Sequence, residues 1–339
     1  MSQINEVFTA WQPRYTWPRY SKYQSKRFFK KTVIYMAYFS IFIVFINVLY
    51  DKFIQGETAI KYSIIRTLPL RTYSRVQGWM CKIYLPWPGN IAVLAAFKGV
   101  CRISLEDAER QKLSEYSSVN DLFTRKLKKG IRPIQRGITS PVDGTIICMG
   151  DAKDSANYKI KGAKYKIEDL LGDPSIWRRI DKKNTLKQAV IYLAPHNYHR
   201  FHSFTDFTVT DVLHLPSLLF SVGKLTMKYF PGLLAKNERV VFSGRYAHGY
   251  CAMVAVGSVG VGSISSNIAE FKTNRISGLF TTTYSVFSGS RVYKKGEEIG
   301  LFNLGSTVVI VFECPKEGFV ADKIEGPVKL GESLGNFEI

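Results

Sequence analysis

The sequence predicts an α+β chain: an N-terminal transmembrane helix, a helical region facing the membrane, and then a β-rich body. Three observations predict it. Thr32 to Tyr50, TVIYMAYFSIFIVFINVLY, is a 19-residue run without a charge. Residues 57–103 alternate helix-like stretches with Pro-rich breaks at TLPLR and LPWPGN. From about residue 138 the pattern becomes short apolar runs separated by Gly, Asn and Asp: GTIICMG, AVIYLAP, YCAMVAVGSVGVGSI and STVVIVFE.

At about 1.5 Å rise per residue, the charge-free run is long enough for a hydrocarbon core roughly 30 Å thick. It exceeds a signal-peptide core and no small-residue cleavage site follows it, so it reads as an anchor that stays attached. Arg14, Arg19, Lys22, Lys26, Arg27, Lys30 and Lys31 precede it against the single acid Glu6. The positive-inside rule keeps that arm on the matrix or cytoplasmic side and places residues 51–339 across the membrane. A basic, acid-poor arm also suits mitochondrial targeting, with an endomembrane signal-anchor as the alternative.

The next stretch, SLEDAERQKLSEYSSVNDLFTRKL, opens with Ser104 and Asp107 in a capping-box-like pair and continues with helical apolar spacing. It predicts a helical collar against the bilayer. The four parts are therefore a basic arm (1–31), a transmembrane helix (32–50), a helical membrane-associated region (51–137) and the β-rich body (138–339).

A net charge of +20 calls for an acidic partner. The sequence carries no nucleic-acid module signature, which favours an anionic membrane over nucleic acid. Five widely spaced cysteines with no CxxC pair argue against both a disulfide framework and a zinc site, and read as buried, reduced thiols.

Histidine is scarce, yet three of the five fall inside PHNYHRFHSF, as His196, His199 and His202. The segment follows an apolar strand and a proline, so the rings need not share a face, and no acidic or Cys ligand stands beside them; a metal is not expected. A second unusual feature lies in FNLGSTVVIVFE, where a buried strand begins Gly305-Ser306-Thr307. Gly-Ser occurs four times in the chain, so the dipeptide alone selects nothing.

Taken together, YHRFHS (198–203), SPVDGTI (140–146) and FNLGST (302–307) resemble the pyruvoyl-dependent phosphatidylserine decarboxylases. The resemblance extends in order through LPLRTYSRVQGW (68–79), FTRKLKKGIRPI (123–134), KGAKYKIEDLLG (161–172), KNERVVFSG (236–244) and KKGEEIGLFNLGSTV (294–308). The anchored N-terminus and the LGST variant are similar to the mitochondrial branch. Phe204 departs from the family, which often has proline there.

Gly305 has no Cβ, so its carbonyl is open to attack by Ser306 Oγ. Serine needs a base for this, and His202 can serve if a carboxylate such as Asp143 orients its ring. The resemblance implies that the attack is intramolecular: an N-to-O acyl shift, β-elimination, and hydrolysis leave chains 1–305 and 306–339, with Ser306 converted to a covalent pyruvoyl group. That pyruvate-derived cofactor would form a Schiff base with the amine of phosphatidylserine and accept the electron pair left as CO2 departs. His199 or His202 would return the proton, and sequence does not separate their roles. The resemblance further implies a mitochondrial inner-membrane enzyme of lipid metabolism, single-pass, with its body on the intermembrane-space side. Its partners would be the substrate, the membrane and its own two chains, with a homodimer left open.

Two other readings use the same residues. A membrane-anchored serine hydrolase acting on lipid esters would employ Ser, His and Asp on an external bond, but the chain lacks a GxSxG elbow. A noncatalytic lipid-binding protein would explain the anchor and the charge and leave the histidine cluster and LGST without purpose.

Overall fold

The computed structural model describes residues 70–84, 89–152, 165–223, 226–227, 230, 232–260, 263–271, 273–274, 283–303 and 305–337. All lie in the second of two compact units, Ile46–Ile339. The apolar run at 32–50 and its basic arm fall outside the described residues. Among those described, no helix is long and apolar enough to cross a membrane.

The architecture is α+β. Two helices, α1 (Leu70–Cys81) and α2 (Gly89–Cys101), stand on either side of the proline-rich break, as the sequence predicts. Helix α1 is pinned to the body through Ser74, whose hydroxyl donates to Leu70 O at 2.7 Å and accepts from Gly260 N at 2.9 Å.

The segment from Ser104 onward does not form the expected long helix. It yields a 3₁₀ turn (Leu113–Glu115) and a five-residue helix, α3 (Val119–Phe123). The Ser104 hydroxyl accepts from Glu106 N at 3.2 Å, closing a local turn that no helix continues. The chain then folds back on itself: Ala108 bridges Leu127, and Glu109 N donates to Lys126 O at 2.9 Å. Arg110 fixes the fold-back by holding both oxygens of Asp121, at 3.0 and 2.6 Å. A sequence of this composition satisfies its polar groups equally well in turns, and the buried contacts of Tyr116 and Leu122 decide between them.

Fourteen strands follow: β1 (Ile138–Thr139), β2 (Gly144–Asp151), β3 (Asn184–Leu193), β4 (Arg200–His202), β5 (Phe207–Leu215), β6 (Arg239–Tyr246), β7 (Gly249–Gly257), β8 (Ile264–Ser266), β9 (Tyr284–Tyr293), β10 (Glu298–Phe302), β11 (Ser306–Pro315), β12 (Phe319–Ala321), β13 (Gly326–Val328) and β14 (Ser333–Phe337). Eight build one antiparallel sheet in the order β13-β2-β3-β11-β7-β6-β5-β9. Two three-stranded sheets, β4-β10-β8 and β1-β14-β12, complete the body.

Strand β11 is central and buried on both faces, which is why its sequence reads as an unbroken run of β-branched and apolar residues. Val308, Ile310 and Phe312 enter one core together with Phe201, Phe204 and Phe302; Val309 and Val311 enter the other with Leu170, Phe220 and Leu233. The two-residue period puts Ser306 on the face of Val308, the side that β4 and β10 cover. Phe204 is fully buried in that core and accepts from Thr139 N at 3.0 Å, so an aromatic ring fills the position where the family often has proline.

Candidate active site

The site is built at one end of the large sheet. Thr145, Tyr192, Thr307 and Val256 lie in one row across β2, β3, β11 and β7. At about 4.8 Å per strand, the start of β2 and the start of β11 are only about 10 Å apart. SPVDGTI and LGST, 160 residues distant in sequence, are therefore near neighbours. Gly144 permits this packing: a Cβ there would lie 2.6 Å from Tyr192 O.

Ser306 is the first residue of β11, held between Leu193 and Gly257 on its two neighbours. Before it stands Gly305 at φ 39°, in the left-handed region that favours glycine. Asn303 fixes the approach: its N donates to Ser263 O at 2.9 Å, and its Oδ1 accepts from Asn120 Nδ2 at 3.2 Å. Ser306 is fully buried and its Oγ has no hydrogen-bond partner among the described residues. An unpaired buried hydroxyl costs about 1–3 kcal/mol, which folding alone gives no reason to retain.

The histidine loop is tied to the strand that delivers Ser306. Strand β4 pairs with β10, and Phe302 N donates to His199 O at 2.9 Å. Its near end is closed by Asn197, whose N donates to Ala194 O at 2.9 Å and whose Oδ1 accepts from Ala194 N at 2.8 Å.

His199 is fully buried, with its ring 3.9 Å from that of Phe123. Its Nδ1 lies 2.9 Å from Asn197 O. A carbonyl can only accept, so Nδ1 carries the hydrogen and Nε2 presents a lone pair, which no group among the described residues engages. Burial pushes this imidazole down to about 3, and the neighbouring Arg125 charge adds to the effect. His199 is therefore neutral at neutral pH.

His202 is held at both nitrogens: Nδ1 donates to Gly296 O at 2.9 Å, and Nε2 accepts from the Tyr198 hydroxyl at 3.0 Å. Burial lowers its pKa too, but the charges of Glu298 and Asp143 oppose that effect. Its backbone N donates to Pro141 O at 2.9 Å, which joins the loop to SPVDGTI.

Asp143 is placed differently from the sequence expectation. Its carboxylate takes two bonds from Arg132, at 3.0 and 2.6 Å, and a third from Leu330 N at 2.8 Å, while the His202 ring is oriented by Gly296. Arg132 also reaches Asp107 at 2.8 Å, and a guanidinium fork outcompetes a single ring N–H for a carboxylate. Asp143 thus acts on His202 through its charge, which opposes part of the effect of burial.

Sequence reasoning did not single out the segment that wraps the histidine loop. Asn120 meets Asn303, Phe123 packs against the His199 ring, Thr124 O accepts from Arg200 Nε at 2.9 Å, and Arg125 Nη2 donates to His196 O at 2.9 Å and Asn197 O at 3.3 Å. Arg200 also pairs with Glu298 at 2.6 Å. The signal was present in FTRKLKKGIRPI, which supplies Phe123, Thr124, Arg125 and Arg132.

Residues 119–336 match the family model for phosphatidylserine decarboxylase. The chain belongs to that family. It is 34% identical over 283 residues to the mitochondrial phosphatidylserine decarboxylase proenzyme of Caenorhabditis elegans, covering 81% of this chain and 73% of that one. It is 36% identical over 251 residues to the phosphatidylserine decarboxylase proenzyme of Acinetobacter baylyi, covering 72% and 84%. A third relative, the mitochondrial proenzyme 1 of Schizosaccharomyces pombe, is 29% identical over 368 residues, covering 84% of each chain. The family assignment makes the chain a carboxy-lyase made as a proenzyme, and leaves the serine-hydrolase reading without support.

Proposed function

We propose that this chain converts phosphatidylserine to phosphatidylethanolamine and CO2 at residue 306, after dividing itself between Gly305 and Ser306. The observation that carries this is Ser306 Oγ: buried, unpartnered, and directly after a glycine with positive φ at the head of a central strand. These residues fit a pyruvoyl group derived from Ser306. Such a group supplies an electron sink for a substrate amine on the carbon that bears the carboxylate.

The protein's own residues divide the remaining work. Ser306 must give up its proton to attack the Gly305 carbonyl, and His202 is assigned as the base: the Gly296 carbonyl and the charges of Glu298 and Asp143 counter part of its desolvation, and its Nε2 would exchange the Tyr198 hydroxyl for that of Ser306. His199 presents a free Nε2 lone pair, so it is assigned to taking up a proton there and passing it to the substrate carbon once CO2 has left. Phe123, packed against the His199 ring, and the core around Phe201 and Phe302 give that side of the histidine an apolar surround.

The reading places the protein at the mitochondrial inner membrane, held by the apolar run at 32–50 with the body facing the intermembrane space. The basic arm, the charge of the chain and the mitochondrial relatives support it. Helices α1 and α2 leave Val76, Trp79 and Val100 exposed beside Arg75 and Arg102, which suits an anionic bilayer surface. The test is carboxyl-labelled phosphatidylserine in micelles: wild-type protein should release labelled CO2 and Ser306→Ala none. Release by the variant, or appearance of free serine, would overturn the reading.

A further inference from the structure

Arg125 is 5% exposed, and the structure gives its guanidinium no carboxylate partner among the described residues. Its Nη2 is spent on the carbonyls of His196 and Asn197, while Nη1 is buried with no partner among the described residues. Arg239, equally buried, shows how the fold satisfies such a group when its role is structural: Nε, Nη1 and Nη2 all rest on carbonyls, those of Leu170, Ala235, Asn237 and Asp169. An arginine left with one arm empty, and no counter-charge, is expensive to bury unless an anion arrives.

Arg125 sits beside His199, to which the proposed function gives a proton-transfer role. Arg125 Nη2 and His199 Nδ1 converge on the same oxygen, Asn197 O, at 3.3 and 2.9 Å. Phe123, two residues earlier, packs against the His199 ring. Arg125 Nη1 and His199 Nε2 are both buried and unpartnered among the described residues, as is Ser306 Oγ, four residues after the Phe302 N–H that donates to His199 O.

The substrate of the proposed reaction offers two anions. Its carboxylate leaves as neutral CO2, so a cation paired with it would hold the ground state more tightly than the transition state and slow the reaction. Its phosphodiester keeps its charge throughout, and a guanidinium fits phosphate oxygens well. We propose that Arg125 receives the phosphodiester of the serine-phospholipid headgroup through Nη1, and so sets the distance from the glycerol backbone to residue 306. The proposal rests on residue 306 being the reaction centre.

The experiment uses the processed full-length enzyme in detergent with dihexanoyl phosphatidylserine as substrate and dihexanoyl phosphatidylethanolamine as product inhibitor. Arg125→Met should still divide into two chains, with KM for the serine lipid and Ki for the ethanolamine lipid both raised by roughly 10- to 100-fold and kcat changed less. Arg125→Lys, which keeps the charge and loses the fork, should show the same pattern with a smaller rise. A rise for the serine lipid alone would assign Arg125 to the carboxylate and overturn the proposal, as would unchanged KM and Ki. If Arg125→Met stays uncut, Arg125→Lys decides by the same readouts. Failure of both variants to divide would show that Arg125 only builds the loop, and would also overturn it. Absence of CO2 release by the wild-type protein would instead strike the reading on which the proposal rests.

Discussion

The Phe302 N–H donates to the His199 carbonyl at 2.9 Å, so the strand that ends four residues before Ser306 is fastened to the loop that carries both histidines. The two histidines and the chain leading into Ser306 are therefore tied together through one small sheet, β4-β10-β8, packed on the face of β11 that carries Val308 and Ile310. Errors in that sheet should be felt first at the Gly305–Ser306 bond.

Gly305→Ala tests the geometry of that bond. A side chain at φ 39° costs roughly 1–2 kcal/mol, so the variant should unfold at lower denaturant and divide more slowly than wild type. Time courses on denaturing gels would show this; wild-type rates of division would mean that the glycine conformation is incidental.

Asp143 and Arg132 form a mostly buried pair at 2.6 Å, with side chains 11% and 9% exposed. Asp143→Asn should lose roughly 1.5–3 kcal/mol of stability, because it leaves the buried guanidinium with only Asp107, whose side chain is 41% exposed, as its charged partner. Arg132→Met in the same chain should recover part of that loss, whereas His202, deprived of the Asp143 charge, should still support only slow division. A double-mutant cycle by urea denaturation checks the coupling, which should vanish if the pair is ornamental.

His199 makes the fold sensitive to acid. Its pKa falls from 6.5 to about 3 on folding, so between those values the unfolded chain binds the extra proton. The stability contributed by this group is fully present above pH 6.5 and is lost as pH falls toward 3. Between pH 7 and pH 5 wild type should lose up to about 2 kcal/mol more than His199→Gln. Equal slopes for the two proteins in denaturant titrations would contradict a buried neutral His199.

Much of this was legible in the sequence. The apolar runs 144–149 and 306–313 announced strands, and Gly305-Ser306, His199, His202 and Asp143 were all marked by motif before their neighbours were known. Two things were not. The polar run after Ser104 satisfies turn and helix alike, and only the buried contacts of Tyr116 and Leu122 choose the turn. The partner of Asp143 was equally hidden, since Arg132 lies eleven residues away and nothing in the spacing ranks it above His202.

The apolar run at 32–50 predicts that full-length protein resists alkaline carbonate and needs detergent for release. Removal of residues 1–56 should weaken that attachment and leave a residual, salt-sensitive affinity for anionic vesicles. Recovery of the full-length chain in the carbonate supernatant would rule out the anchor.

The central claim is tested most directly by the intact mass of the purified protein. The account predicts two chains, residues 1–305 with any targeting segment removed and residues 306–339, the smaller beginning with a pyruvoyl group and resistant to Edman degradation; Ser306→Ala should give one uncut chain. An active wild-type protein found as a single chain, or cut elsewhere with a free amino group on the new end, would contradict it.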